Sequence, residues 1–376
     1  MARKILEKEL APQLEKLEKA DDGLGQYPMD VHMKMAAAGY SGMNIPEEWG
    51  GLGLDVFTQA IITEEMAQVD AGFTFSFYNM GTYFPLILQT EMSKEEKQRW
   101  ADGILAGELK GAFCVTESEA GSDAAAMRTS AVREGDEWVI SGTKCFVSNG
   151  PVANFFLVAA WTDKTKRASQ GVTFFLVEKE RGVTIGKKEN KMGLKTSETS
   201  EVVFDNVRVP HDHIIGEEGR GFITSMEVIS TEGRAIGTSF NLGIAQAAVN
   251  YATEYAKVRR QFGKRIIDHQ SIGNMIADME ARTQASRALM YEALVCQRDG
   301  IPTGYLPSLL KMYITDHTMQ TTLDAVQVLG GYGYMKDYPV EKLMRDAKIF
   351  QIFSGTNQIQ RKNIARAIAG KDPQKK

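Results

Sequence analysis

The sequence predicts an α+β chain in three parts: an N-terminal helical domain over 1–108, a central antiparallel β domain over 109–216, and a C-terminal four-helix bundle over 217–376. Helix formers dominate 5–20, 29–38, 58–67 and 94–105, with a Gly-rich loop at 46–54 between two of these stretches. Near Lys110 the pattern changes to short apolar runs at 111–116, 129–133, 137–141, 154–161, 171–177 and 201–207. Gly121, Gly135-Asp136, Gly150-Pro151 and Gly182 separate them, the spacing of a compact sheet or barrel. From Gly219 the helical period returns. Ile272, Met275, Ile276 and Met279 follow the i, i+3, i+4, i+7 template, and long helices are expected over 220–262, 271–298 and 306–329, with a last one beginning near Thr356.

Composition excludes several classes of function. The 376 residues are too many for one small domain, and 43% hydrophobic with 24% charged residues is a globular balance. Lys plus Arg number 44 against 48 Asp plus Glu, a net charge of −4, which gives no bulk attraction for nucleic acid. The three cysteines Cys114, Cys145 and Cys296 fit neither a disulfide framework nor a metal site, so a reducing compartment and no metal are expected. His211 and His213 beside Pro210 read as a solvated loop pair. No apolar run approaches the roughly 20 residues that cross a bilayer. The longest, 155–161, reads as a buried strand. These features point to a cytoplasmic protein with no membrane partner.

Four segments carry chemistry. FCVTESEAGS at 113–122, followed by Asp123, joins a strand end to an acidic Gly-Ser turn that offers N–H groups and hydroxyls to a polar ligand edge; by itself it reads first as an ordinary strand exit capped by Asp123. RRQFGKRIIDHQ at 259–270 concentrates guanidinium groups at a helix end, either as a solvated terminus or as a diphosphate clamp. QVLGGYG at 327–333 follows a long helix with paired glycines, which permit a C-cap or close backbone approach. FSGTNQIQR at 353–361 places Gly355 before a helix whose N-cap is Thr356 or Asn357.

Taken in this order and at these spacings, the segments resemble the acyl-CoA dehydrogenase family of flavoproteins nearly end to end. The strings that carry the resemblance are IPEEWGGLG (45–53), VTESEAGSD (115–123), SGTKCFVSNG (141–150), KMGLKTSETSEVVFDNVRVP (191–210), RRQFG with the later HQ, and VLGGYGYMKDYPVEKLMRDAKIFQI with GTNQIQR (328–361). The resemblance implies non-covalent FAD between the β domain and the bundle, in a homotetramer or homodimer. It maps flavin contacts onto Phe113, Val115, Thr116, Ser122, Phe146 and Ser148. From a neighbouring subunit, Arg259, Gln261 and Phe262 would meet the diphosphate region; Gln270 is a further cofactor contact, Gln327, Gly330 and Gly331 match the adenine-side turn, and Thr356 and Gln358 match the last helix start. It places an acyl-CoA thioester near Ser122, Arg234, Gly355 and Tyr83. It implies loss of an α-proton and of a β-hydride to the flavin, and electron-transferring flavoprotein as acceptor.

The sequence departs from that pattern at the base. The family's proton-abstracting glutamate precedes the Gly-Thr of the last motif, and here the position is Ser354. Some members carry the glutamate immediately before an arginine that matches Arg234, and here that position is Gly233. Glu232 is the candidate substitute, but one helical step turns a side chain by about 100°, so it serves only where the helix is distorted; Gly233 and Gly237 allow such distortion. Three explanations stand side by side. The base has moved. The reaction is an elimination across a cyclic or unsaturated acyl-CoA, or a desulfination, that needs no α-carbon glutamate. Or Ser354 is an introduced change. A catalytically silent flavin-binding assembly protein is the remaining alternative. The aromatic residues Phe73, Phe75, Phe77, Tyr78, Tyr83 and Phe84 crowd the segment that the resemblance assigns to the acyl end, which suits a flat acyl group or ordinary packing.

Overall fold

The computed structural model describes residues 1–231, 234 and 236–370. The helices run, in order, α1 Ala2–Glu9, α2 Leu14–Lys19, α3 Met29–Ala37, α4 Val56–Ala67, α5 Ala71–Gly81, α6 Phe84–Ile87 and α7 Lys94–Leu105. After the sheet, which holds the short α8 Ala168–Gly171, come α9 Gly221–Thr231, α10 Gly237–Val258, α11 Gln270–Arg298, α12 Leu306–Leu329, α13 Val340–Phe350 and α14 Asn357–Ile368. Local chemistry starts several of them. Ser93 and Glu96 form a reciprocal capping box on α7, Asp55 accepts the Thr58 N–H at 2.7 Å, and buried Asp70 accepts the Phe73 N–H at 2.6 Å.

The strands are β1 Gly111–Cys114, β2 Ser130–Glu134, β3 Glu137–Ser148, β4 Phe155–Trp161, β5 Val172–Glu178, β6 Thr184–Lys188 and β7 Thr199–Pro210. They form one sheet in the order β1-β4-β2-β3-β7-β6, with β5 on β4. The main ladders are antiparallel except for β1, which runs parallel to β4. β4 and β5 are buried on both faces, between an inner cluster that includes Phe156, Phe175 and Phe204 and an outer one that includes Phe155, Phe174, Trp100 and Phe84. That is why both read as unbroken apolar runs.

Three expectations need correction. The helix expected over 220–262 is broken: α9 and α10 flank a segment in which Arg234 and Ile236 have π-helical geometry, and α10 stops before a two-stranded hairpin, β8 Arg260–Gln261 with β9 Lys264–Arg265. Helix α5, unassigned in the sequence reading, carries Phe73, Phe75, Phe77 and Tyr78; nearly all its faces are buried, so it shows no amphipathic period. His213 is buried, with Nδ1 3.3 Å from the Leu176 carbonyl, and burial lowers its pKa; the sheet covers a side chain that the sequence places in solvent.

A buried ionic junction joins the three parts of the chain. Lys342 on α13 lies 2.7 Å from Asp70 and 2.5 Å from Asp346, with Glu18 at 3.7 Å. Asp346 also accepts the Leu194 N–H at 2.6 Å, and Asp70 accepts the Thr196 hydroxyl. Burial opposes the Lys342 charge, but the surrounding carboxylates outweigh it and push its pKa well above the ordinary value.

Candidate active site

A cavity of about 300 Å³ lies between the sheet, α5, the α9–α10 junction and the turn before α14. Its β wall is Phe113, Val115, Thr116, Ala120, Gly121, Ser122 and Ala124 with Cys145, Phe146 and Ser148. This wall is pinned from behind. The Cys145 N–H donates to the Thr116 carbonyl at 2.9 Å, and fully buried Lys144 donates to the Val115 carbonyl at 3.2 Å and pairs with Glu117 at 2.8 Å. Glu117 also accepts from the Arg128 N–H and from the Thr129 N–H and hydroxyl. Burial alone would raise the Glu117 carboxyl, but Lys144 and these donors hold it below its ordinary range. Phe146 stands at φ +55° and is 65% exposed, so its ring is held out at the cavity instead of in the core.

The opposite wall is aromatic. Phe75 stacks on Phe353 at 5.1 Å between centroids, and Tyr83 stacks on Phe113 at 6.2 Å. Tyr78, Asn79 and Phe240 line the same end. The Asn79 amide donates to the Phe75 carbonyl at 2.7 Å, and the Tyr78 hydroxyl donates to Gln59 at 2.9 Å.

At the remaining edge sit Ser354, Gly355 and Arg234. Ser354 and Gly355 both have left-handed φ, +53° and +85°. The φ of Gly355 favours glycine, and a Cβ there would come 2.7 Å from the Gln360 amide nitrogen and displace that side chain. Burial pushes the Arg234 pKa down, and among the described residues its buried Nε has no partner. Arg234 is the one charged side chain among the described lining residues, and no carboxylate is among them. Glu232 and Gly233 lie outside the described residues.

Of the sequence-predicted positions, Phe113, Val115, Thr116, Ser122, Phe146, Ser148, Tyr83, Arg234, Ser354 and Gly355 therefore meet in one cavity. Thr356, the N-cap of α14, accepts the Ile359 N–H at 3.3 Å and, like Gln358, flanks the cavity without lining it. A second cavity of about 590 Å³ gathers Arg259, Gln261, Phe262, Gly330 and Gly331 with Tyr255, His269 and Tyr332. Gln270 and Gln327 sit one position from its lining residues Ser271 and Val328. Phe262, at φ +50°, caps the β8–β9 hairpin and is 94% exposed. Within one chain the two groups form separate cavities.

The sequence reading missed Met226, Val228, Ile229, Phe240 and Phe353 in the first cavity. Met226 and Ile229 carry a readable signal, a one-turn spacing on α9. Phe353 opens the last motif, but its stack on Phe75 carries no signal, because the two lie 278 residues apart in sequence.

The chain matches the acyl-CoA dehydrogenase N-terminal domain over residues 1–108, the middle domain over 112–207 and the C-terminal domain over 219–369. The chain belongs to the acyl-CoA dehydrogenase family. An acyl-CoA dehydrogenase of Bacillus subtilis is 39% identical over 374 residues, 98% of this chain and 96% of the relative. A subunit of the caffeyl-CoA reductase–Etf complex of Acetobacterium woodii is 36% identical over 374 residues, covering 99% and 97%. The butyryl-CoA dehydrogenase structure from Megasphaera elsdenii superposes with a TM-score of 0.91 at 37% identity, covering 98% of this chain and 96% of that one. This acyl-CoA dehydrogenase-family member has the family's helical, β and helical layout and is an oxidoreductase acting on CH–CH donors.

Proposed function

We propose that this chain is an FAD-dependent oxidoreductase for an acyl-CoA with a flat or ring-shaped acyl group, and that it works without a carboxylate at position 354. The observation that carries this reading is the cavity itself, with an aromatic wall at one end, a hydroxyl-bearing β wall on one side, and Ser354 in place of the usual acid. The residues suit FAD. Thr116, Ser122 and Ser148 offer hydroxyls beside the exposed Phe146 ring, and the Arg234 Nε, without a partner among the described residues, marks an edge that awaits a polar ligand. FAD held there would supply the hydride acceptor for the β-carbon, and a base relocated from position 354, with Glu232 the candidate, would take the α-proton. The protein's own groups bind the thioester, exclude water and orient the Cα–Cβ bond against the β wall. The relative in a caffeyl-CoA reductase–Etf complex supports both an aromatic acyl group and electron-transferring flavoprotein as the redox partner.

The second cavity supports a shared site in a homotetramer or homodimer. In this arrangement Arg259, Gln261 and Phe262 of one protomer close over the cofactor of its neighbour, with Gln270, Gln327, Gly330 and Gly331 beneath. Arg259 is exposed and makes no ion pair among the described residues, so Arg259→Ala is expected to leave the protomer fold intact. A guanidinium bond to a diphosphate contributes about 1.5–3 kcal/mol, so FAD affinity is expected to fall by about 10- to 100-fold. Fluorescence titration of the apoprotein with FAD checks this.

The reading is tested by anaerobic bleaching of the bound flavin with butyryl-CoA, 3-phenylpropionyl-CoA, cyclohexanecarboxyl-CoA and a cyclic enoyl-CoA, with mass spectrometry of the products. Bleaching by a saturated thioester supports a relocated base. Glu232→Gln is then expected to slow the step by about 10²–10⁴, and an unchanged rate would remove Glu232 from consideration. The second reading is elimination across an already unsaturated ring, or desulfination, with no α-carbon base. The absence of a carboxylate among the described lining residues favours it, and bleaching by the cyclic enoyl-CoA alone would select it. A chain that holds FAD yet is bleached by none of them is a silent binder.

A further inference from the structure

Behind the Ser354–Gly355 turn lies a buried cation that the reaction scheme does not use. Lys311 on α12 is 3% exposed. Its Nζ donates to the Gly355 carbonyl at 2.8 Å and to Asn357 Oδ1 at 2.8 Å. Both acceptors are neutral, and no carboxylate among the described residues forms an ion pair with Lys311. Of the two acids on its own helix, Asp324 pairs with Arg282, and Asp316 is engaged by Arg361 at 2.6 Å, by Gln351 at 2.7 Å and by the Asn357 amide at 2.7 Å. An ammonium group buried without a counter-ion is costly. A merely structural donor at this place could be a neutral side chain.

The turn shows what the cation does. Gln360 Nε2 donates to the Gly355 carbonyl at 2.9 Å and to the Ser354 carbonyl at 3.3 Å, so both carbonyls face α12 and α14. Neither Lys311 nor Gln360 lines the cavity, whereas Ser354 and Gly355 do. Every peptide here is trans, so the N–H of each of these peptides points away from its carbonyl, and thus away from Lys311 and Gln360. The Gly355 and Thr356 N–H groups donate to no backbone carbonyl among the described residues.

We propose that Lys311 is a positioning residue for the reaction at this cavity: by holding the Gly355 carbonyl it fixes the left-handed Ser354–Gly355 turn, so that the N–H edge of the turn faces the thioester. The inference rests on the acyl-CoA reading above. It also makes the turn pH-dependent. Burial first, and then Arg234 across the turn, lower the Lys311 pKa to about 7, against the opposing pull of Asp316, whose charge Arg361 offsets. Above that pH the amine is neutral and its hold on the turn weakens.

The test compares wild type, Lys311→Met and Lys311→Gln as FAD-loaded proteins. The first readout needs no substrate: amide hydrogen exchange of 353–357, corrected for intrinsic rates. Wild-type exchange is expected to rise as pH passes upward through about 7. In Lys311→Met it is expected to be faster by about tenfold and independent of pH. The second readout is flavin reduction by butyryl-CoA and 3-phenylpropionyl-CoA. The limiting rate is expected to fall by about 10²-fold in the variants with little change in half-saturation, and the variants are expected to lose the wild-type decline above neutral pH. Lys311→Gln keeps a donor without the charge, so it remains informative if Lys311→Met fails to fold. Wild-type exchange and wild-type pH profiles in both variants would overturn the assignment. Failure of the acyl-CoA reading looks different: no thioester bleaches even the wild type, while the exchange contrast persists.

Discussion

Replacing Ser354 with glutamate is expected to raise the rate of flavin reduction by butyryl-CoA by about 10²–10⁴, the value of a positioned general base. Ser354 lines the cavity and already holds φ +53°, so a glutamate inherits a backbone strain that the chain tolerates. Arg234, whose buried Nε has no partner among the described residues, lines the same cavity and would keep the new carboxylate ionised at neutral pH. That also lowers its basicity, which favours the lower part of the range. Stopped-flow bleaching by butyryl-CoA, with FAD content matched between proteins, measures the effect. No gain, with FAD bound and the thioester still binding, would mean that the α-carbon does not face position 354. The acyl group would then enter in an orientation set by the Phe75–Phe353 stack, and the chemistry would belong to the elimination reading. A gain confined to saturated thioesters would show that losing the glutamate redirected an otherwise standard site.

Lys342→Met is expected to destabilise the protein by about 3–5 kcal/mol, the cost of breaking a buried ion pair from one side. Asp70 and Asp346, both nearly inaccessible, would be left facing each other without the cation that lies 2.7 and 2.5 Å from them. The loss arises from uncompensated charge and not from missing bulk. Adding Asp346→Asn to Lys342→Met is therefore expected to recover part of the stability, because the introduced amide is neutral and its oxygen could still accept the Leu194 N–H. Denaturant midpoints for the single and double variants check this. A double variant less stable than Lys342→Met would show that packing of the lysine stem carries the effect. Because the junction links Glu18, Asp70, the 194–196 loop and α13, the single variant is expected to weaken FAD retention as well, by loosening the frame on which α5 and the Ser354 turn sit.

Much of this protein is determined by local sequence. The change from helical period to short apolar runs near Lys110, and back near Gly219, follows from the 3.6- and 2-residue repeats. The Thr356 cap and the turn residues of the β domain are equally local, and the cavity-lining positions in 113–122, 146–148 and 354–355 are legible as motifs. What the sequence could not determine depends on partners distant along the chain. Helix α5 shows no period because it is covered on nearly all sides, so burial erases the pattern that would announce it. The π-helical geometry at Arg234 and Ile236 lies where the partners change, since α9 packs on β4 and β5 whereas α10 packs on α4 and α12. Phe75 meets Phe353, Lys342 meets Asp70, and Lys311 meets the Gly355 carbonyl only after the three parts of the chain close on one another. A lysine in an apolar helical stretch reads as a solvated charge. Only the tertiary fold turns it into a buried cation behind the cavity wall, because desolvation and hydrogen bonding depend on what surrounds a group in space.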